Sequence, residues 1–125
     1  MSLISREIMA SMTDFQEESP ERASAWFVFS SDFTGFNGHF PGRKILPGIC
    51  MLQAVLETMK KWQNREVKLQ EIVQAKFFSP VGNDEQVVLT CNKQEKEGRQ
   101  NLVKAVLNTP DRKIAQLRIK TEYTD

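Results

Sequence analysis

One segment restricts the fold of this chain more than any other. Pro47-Gly48 opens a helical run in which Ile49, Leu52, Leu56 and Met59 fall on one stripe, while Cys50, Met51, Ala54 and Val55 make its first half apolar nearly all round. A helix without a polar side has to be surrounded. The remaining chain offers mainly strand patterns for that purpose, so the expected fold is α+β: one central helix over about 47–62 and a curled antiparallel sheet of about six strands. At 125 residues we expect a single domain over 1–125, long enough to bury about two thirds of its extended-chain surface.

The strands follow from alternation. Residues 23–30 include Trp26-Phe27-Val28-Phe29, apolar on both faces, which predicts an interior strand. Segments 69–78, 86–92, 102–108 and 113–123 alternate, with Val87, Leu89 and Cys91 on one face of the second and Ala115, Leu117 and Ile119 inward on the last. The mixed charges of 93–99 predict a solvated hairpin. The opening is ambiguous: Ile4, Ile8, Met12 and Phe15 recur at helical spacing, whereas Ile8, Ala10 and Met12 share a strand face. We expect a short helical turn, then a strand over 8–16. Lys60 and Lys61 suit the end of the central helix, with Asn64 as its terminator.

Seventeen basic and sixteen acidic residues leave a net charge of +1, so no global field draws this chain to nucleic acid or an anionic membrane. Cys50 and Cys91 have no metal-ligand spacing and no second histidine to join them, so buried thiols and no metal are expected. The first residues lack the apolar run of about seven or more that a secretory signal needs, and no segment is long enough to span a bilayer. A cytoplasmic location and no membrane partner are the expectation.

The only histidine, His39, sits in Gly38-His39-Phe40-Pro41-Gly42-Arg43-Lys44-Ile45-Leu46-Pro47-Gly48, between two Gly/Pro turns and just before the helix start. A side chain that titrates near neutrality is therefore close in sequence to free backbone N–H groups. That pairing suits chemistry on a thioester.

The run 36–49 resembles the signature of the hotdog-fold (3R)-3-hydroxyacyl-[acyl carrier protein] dehydratases of bacterial fatty acid synthesis, G-H-F-P-G-x-P-x-x-P-G followed by a helix. Lys44 stands where the family has a proline. Ala75-Lys76-Phe77-Phe78-Ser79-Pro80-Val81 is similar to the family's later K-x-R-F-x-x-P-V block, and the resemblance covers roughly 28–92. The family's Pro-His-Arg stretch before the first strand has no counterpart here.

The resemblance implies elimination of water from a 3-hydroxyacyl thioester to give a 2-enoyl thioester. Such a reaction needs a base for the C2 proton, a proton donor for the departing hydroxyl and stabilisation of the thioester oxygen. His39 would be the base, and the Gly48 N–H would face the carbonyl. The family's helix Glu or Asp falls at Gln53, whose amide exchanges no proton in this pH range, so acid catalysis is expected to weaken by about 10² to 10⁴. Glu57, one turn on, is either a displaced acid or a carboxylate paired with Lys60 or Lys61.

Phe36, Phe40, Leu52, Phe77 and Phe78 are the expected lining of an acyl tunnel, with plain core as the alternative. Arg43 and Lys44, with Lys76, are candidates to meet an acidic carrier protein or its phosphopantetheine. No cofactor is expected beyond the substrate's own carrier, an acyl carrier protein or CoA. Because the family assembles each site from two subunits, we expect a homodimer or higher oligomer, or a heterodimer with a Glu-bearing paralogue. The alternative functions are a hotdog acyl thioesterase, with Glu57 activating water, and a catalytically weakened acyl-binding subunit that pairs with an active dehydratase.

Overall fold

Helix α2 (Gly48–Gln63) lies along a curled six-stranded antiparallel sheet, the hotdog arrangement that the sequence leads one to expect. The computed structural model describes residues 2–37 and 44–125. The elements before α2 are α1 (Leu3–Ser11), β1 (Met12–Ser19), β2 (Arg22–Val28) and a 3₁₀ turn (Thr34–Phe36). After it come β3 (Val67–Phe77), β4 (Gln86–Glu97), β5 (Gln100–Thr109) and β6 (Arg112–Tyr123). The sheet order is β1-β2-β4-β5-β6-β3, which leaves β1 and β3 as its edges.

The core forms where the inward residues of the strands meet α2. Ala23, Ala25 and Phe27 of β2, Leu89 and Cys91 of β4, Val103, Ala105 and Leu107 of β5, and Ala115, Leu117 and Ile119 of β6 are buried. Their period of two is the alternation seen in the sequence. Val55 and Met59 of α2 are fully buried among them. Phe27 and Phe29 stack at 5.7 Å, and Phe29, Phe33 and Phe36 continue the aromatic series toward the 3₁₀ turn.

Three expectations need correction. The N-terminal segment is a nine-residue helix, not one turn, and β1 begins at Met12 rather than near Ile8. Ser2 caps this helix by accepting the Ser5 N–H at 3.1 Å, Ile8 is fully buried, and the helix packs against α2; only from Met12 onward does the chain pair with β2. The strands expected over 86–92 and 102–108 run further, β4 to Glu97 and β5 from Gln100, with Gly98 at φ 60 in the turn between them. The solvated hairpin expected over 93–99 is present, exposed from Gln94 to Gln100.

The third correction bears on the site. Ile49 is 71 % exposed and Leu56 only partly buried, so the stripe with Leu52 and Met59 is not uniformly core. Positions 49, 53, 56 and 60, at spacings of four, three and four, form the side of α2 that the protomer's own sheet leaves open. Asn64 ends the helix in the left-handed conformation, φ 51, as expected. Gln63 then ties this end to the sheet, its Oε1 accepting from Lys93 Nζ at 2.8 Å and Tyr123 OH at 2.9 Å.

Candidate active site

The start of α2 is fixed by a turn distant in sequence, Pro80 to Glu85, and by Arg112. Arg112 donates to the Pro80 carbonyl at 2.9 Å and pairs with Glu85 at 2.8 Å, and Glu85 in turn accepts the Gly82 N–H at 2.8 Å. The Gly82 N–H is the chief cause holding the Glu85 carboxyl below its usual range, with Arg112 acting in the same direction. Within that braced turn the Val81 carbonyl accepts the Leu46 N–H at 2.8 Å. Leu46 is buried, so the chain is held on both counts as it enters Pro47 and Gly48.

Pro47 is the N-cap residue, and its carbonyl accepts from the amides of Cys50 at 3.0 Å and Met51 at 3.1 Å. Among the described residues no backbone carbonyl receives the N–H of Gly48 or Ile49. These are the unpaired donors that any helix start presents, at its positive end. A Cβ on Gly48 would stand 2.8 Å from Cζ of Phe77, so only glycine lets that ring lie against the first turn.

A cavity of about 420 Å³ opens here, lined by the segment Ile45 to Gly48, Met51, and Phe77 to Pro80. Its size is in the usual range for small-molecule sites, and its lining is largely apolar. Phe77 and Phe78 are 55 % and 50 % exposed, unusually wet for phenylalanine. The cavity therefore combines an apolar wall with the free N–H groups of a helix start, an arrangement able to seat a thioester carbonyl and part of its acyl chain.

Gln53 and Glu57 meet each other on another side of α2. Gln53 Nε2 donates to Glu57 Oε1 at 2.9 Å, and Lys60 Nζ lies 3.4 Å from the same oxygen. Glu57 is 1 % exposed, whereas Gln53 and Lys60 are partly open to solvent. Of the two lysines offered by the sequence, Lys60 is the one that approaches Glu57. Neither Gln53 nor Glu57 lines the cavity beside Gly48.

The other sequence candidates divide. Phe77 and Phe78 line the cavity; Phe36 and Leu52 do not, being buried in the core at 5 % and 8 % exposure. Phe36 packs edge-on against Phe33, and Leu52 lies on the inward arc of α2, so for these two the plain-core alternative describes their position. Lys44 is exposed and borders a smaller hollow together with Gly82, Glu85 and Arg112. His39, Phe40 and Arg43 lie outside the described residues.

Residues 15–117 match the model of the ApeI-like family, described as ApeI dehydratase. The chain belongs to that family.

The ApeI-like chain is also similar in sequence to a curated dehydratase, and two solved structures share its fold. It is 40 % identical over 62 residues to the 3-hydroxyacyl-[acyl-carrier-protein] dehydratase FabZ of Ehrlichia chaffeensis, covering 46 % of this chain and 43 % of that protein. The chain spans about half the length of the curated relatives it matches. In three dimensions it is similar to a chain of the dehydratase heterocomplex ApeI:P from Xenorhabdus doucetiae, with TM-score 0.78, 21 % identity, and coverage of 89 % of this chain and 96 % of that one. A putative thioesterase, yhdA, from Lactococcus lactis shares the fold at TM-score 0.74 and 18 % identity, over the whole of both chains.

The structure of this ApeI-like chain also brings up residues that sequence reasoning did not single out. Lys113 Nζ sits 4.8 Å over the Phe78 ring, at the edge of the cavity. Glu7 of α1 accepts the Thr34 N–H at 3.0 Å and so anchors the 3₁₀ turn that precedes the His39 segment. Both contacts join positions far apart in sequence, and no local pattern announces them. Cys50, close to Gly48 and beside Ile49, is a buried free thiol whose pKa is pushed up by burial and then by the Glu7 carboxylate, which disfavours the thiolate.

Proposed function

We propose that this protein is a 3-hydroxyacyl thioester dehydratase of the FabZ kind, working on an acyl chain held by an acyl carrier protein, with its site completed by a second chain. The observation that carries the reading is Gly48: its N–H, at the positive end of α2, meets no backbone acceptor among the described residues and lies beside an apolar cavity, at the place the Pro-Gly of the sequence signature marks. In this reading His39 removes the C2 proton, the electrons form the C2=C3 bond, and the 3-hydroxyl departs as water once it is protonated. The negative charge that develops on the thioester oxygen meets the Gly48 N–H. The donor for the departing hydroxyl is the part this chain does not offer in the usual place, since Gln53 cannot give up a proton.

A second chain is supported by the sheet edge. Strand β3 has an unpaired side and exposes Ile72, Val73 and Phe77, at 49 %, 39 % and 55 %. An apolar edge of this kind is a template for pairing with another strand. Either a second copy or a paralogue that carries the missing Glu fits this reading, and a related dehydratase from Xenorhabdus doucetiae is described as a heterocomplex.

A second reading, an acyl-binding subunit that supports an active dehydratase without turning over alone, is favoured by the engagement of Glu57. That carboxylate is buried and already accepts from Gln53 and Lys60, so it is poorly placed to act as a displaced acid. The same engagement counts against thioester hydrolysis, because Glu57 is the only acidic side chain on α2 and would have to activate water.

The test is to follow 2-enoyl formation from a 3-hydroxyacyl-carrier substrate, with the protein alone and mixed with a Glu-bearing dehydratase. Turnover that depends on His39 supports the first reading. Turnover in the mixture above that of the dehydratase alone, with the excess lost when His39 of this chain is changed to Ala, supports a shared site. Turnover in the mixture that is indifferent to His39 supports the binding subunit.

A further inference from the structure

The hydrogen bond between Gln53 and Glu57 fixes more than packing. A carboxylate only accepts, so the end of the Gln53 carboxamide that faces Glu57 is the nitrogen, whichever way a free amide would turn. The carbonyl Oε1 is then directed away from Glu57, and no hydrogen bond among the described residues engages it. Gln53 lies on the open side of α2, partly exposed. Ile49, four residues earlier on the same side and 71 % exposed, places apolar surface one turn above that oxygen. Lys60 holds Glu57 from the other direction at 3.4 Å, so the carboxylate that orients the amide is itself held.

We propose that Glu57 is a positioning residue, not a catalytic one, and that it turns the Gln53 carboxamide so that the helix presents a hydrogen-bond acceptor to the substrate's 3-hydroxyl. The inference rests on the reading above that the site is completed by a second chain, so that the Gln53 side of α2, which does not line its own protomer's cavity, faces a thioester held by the other. It adds a rule of selection. An apolar chain bearing one hydroxyl donor matches Ile49 and the Gln53 oxygen together, whereas a saturated chain leaves that oxygen unpaired and a 3-keto chain sets acceptor against acceptor. The place where relatives carry an acid is in this chain a reader of the substrate's oxidation state.

The test measures the affinity of 3-hydroxyhexanoyl-pantetheine and hexanoyl-pantetheine by calorimetry, in the full chain carrying His39→Ala so that no turnover intervenes. The expected ratio favours the hydroxy ligand by about tenfold, the scale of one well-made hydrogen bond. Glu57→Gln, which frees the amide to present either end, should bring the ratio to about one, as should Gln53→Ala. The exchanged pair, Gln53→Glu combined with Glu57→Gln, should restore it, because a carboxylate at position 53 again accepts while the amide introduced one turn later donates to it.

The side-chain amide resonances of Gln53 give a second readout that packing alone would not move. One Nε2 proton should be shifted and slow to exchange in the wild type, and lose both properties in Glu57→Gln. Failure of the protein to bind either thioester overturns the reading of the site, and this inference with it. Equal affinity for both ligands, or a preference that survives Glu57→Gln, overturns the inference alone.

Discussion

The ring of Phe77 occupies the space that a side chain on Gly48 would need, with Cζ 2.8 Å from the position of that missing Cβ. Helix start and strand end are thus fitted to each other through one absent methyl group. Gly48→Ala forces the half-exposed Phe77 ring aside, into solvent or into the cavity. The protein should still fold, since the obstacle is the far end of a side chain, with a loss of about 1 kcal/mol, at the low end for overpacking. Turnover should fall at least about tenfold as the ring narrows the approach to the Gly48 N–H. Thermal unfolding and kcat/KM, measured side by side and repeated with Phe77→Leu added, check this: the second change should recover stability.

Gln53→Glu in the isolated protein should raise the rate of 2-enoyl formation by about 10² to 10⁴, the usual contribution of a general acid. The new carboxylate stands one turn from Glu57, a like-charge pair that costs a few tenths of a kcal/mol even on an exposed helix. Glu57 is buried, so the cost here should be larger, visible as a lower urea midpoint and relieved by adding Glu57→Gln. An unchanged rate would show that position 53 is not where this chain's acid is missing.

Lys113, placed over Phe78 at the cavity edge, should act on the carrier more than on the acyl group. Lys113→Glu should raise KM for a carrier-bound substrate about tenfold at low salt, and less at higher salt where such contacts are screened. For a pantetheine-bound substrate the change should be small. Equal effects on the two substrates would assign Lys113 to holding Phe78 rather than meeting the carrier.

Burial pushes the Cys91 thiol up to about 12 from 9.0. A thiol whose pKa is raised by folding favours the folded state fully below its unfolded value, and that contribution is lost as pH rises from about 9 towards 12. Urea midpoints should therefore decline over this range, and the decline should be shallower in Cys91→Ala. A thiol reagent at about pH 8 should find both cysteines unreactive in the native protein and reactive after unfolding.

Val73→Lys on the outer strand should weaken self-association or pairing with a paralogue, since charge on an unpaired edge opposes strand addition. Light scattering should then show a smaller species. Activity should fall with assembly, if the site is completed from outside.

The fold was legible because its two signals are strong and local: alternation in β4, β5 and β6, and a helix too apolar to stand in water. The opening residues were less so, since Ile8 and Met12 satisfy both periods, and the choice was made by Ser2 as a cap and by the packing of α1 against α2. Part of the expected lining went to the core for a similar reason. Phe36 and Leu52 advertise burial, but a sequence does not say whether an apolar side chain faces a core or a cavity. That Gly48, Phe77 and Phe78 come to lie around one hollow was within reach, because the signature is itself a record of geometry. The burial of Glu57, the choice of Lys60 over Lys61, and the placing of Lys113 on Phe78 depend on packing and on rotamers, which no spacing encodes.

Strand β3 performs two offices at once. Its inner end supplies Phe77, one wall of the hollow beside Gly48, and its outer rim is the side of the sheet with no neighbour. Whatever docks on that rim touches the same piece of chain that shapes the hollow, so a change of companion is also a change of mould. On the proposal of a second chain, exchanging that chain would reshape the hollow with no mutation in the protomer itself.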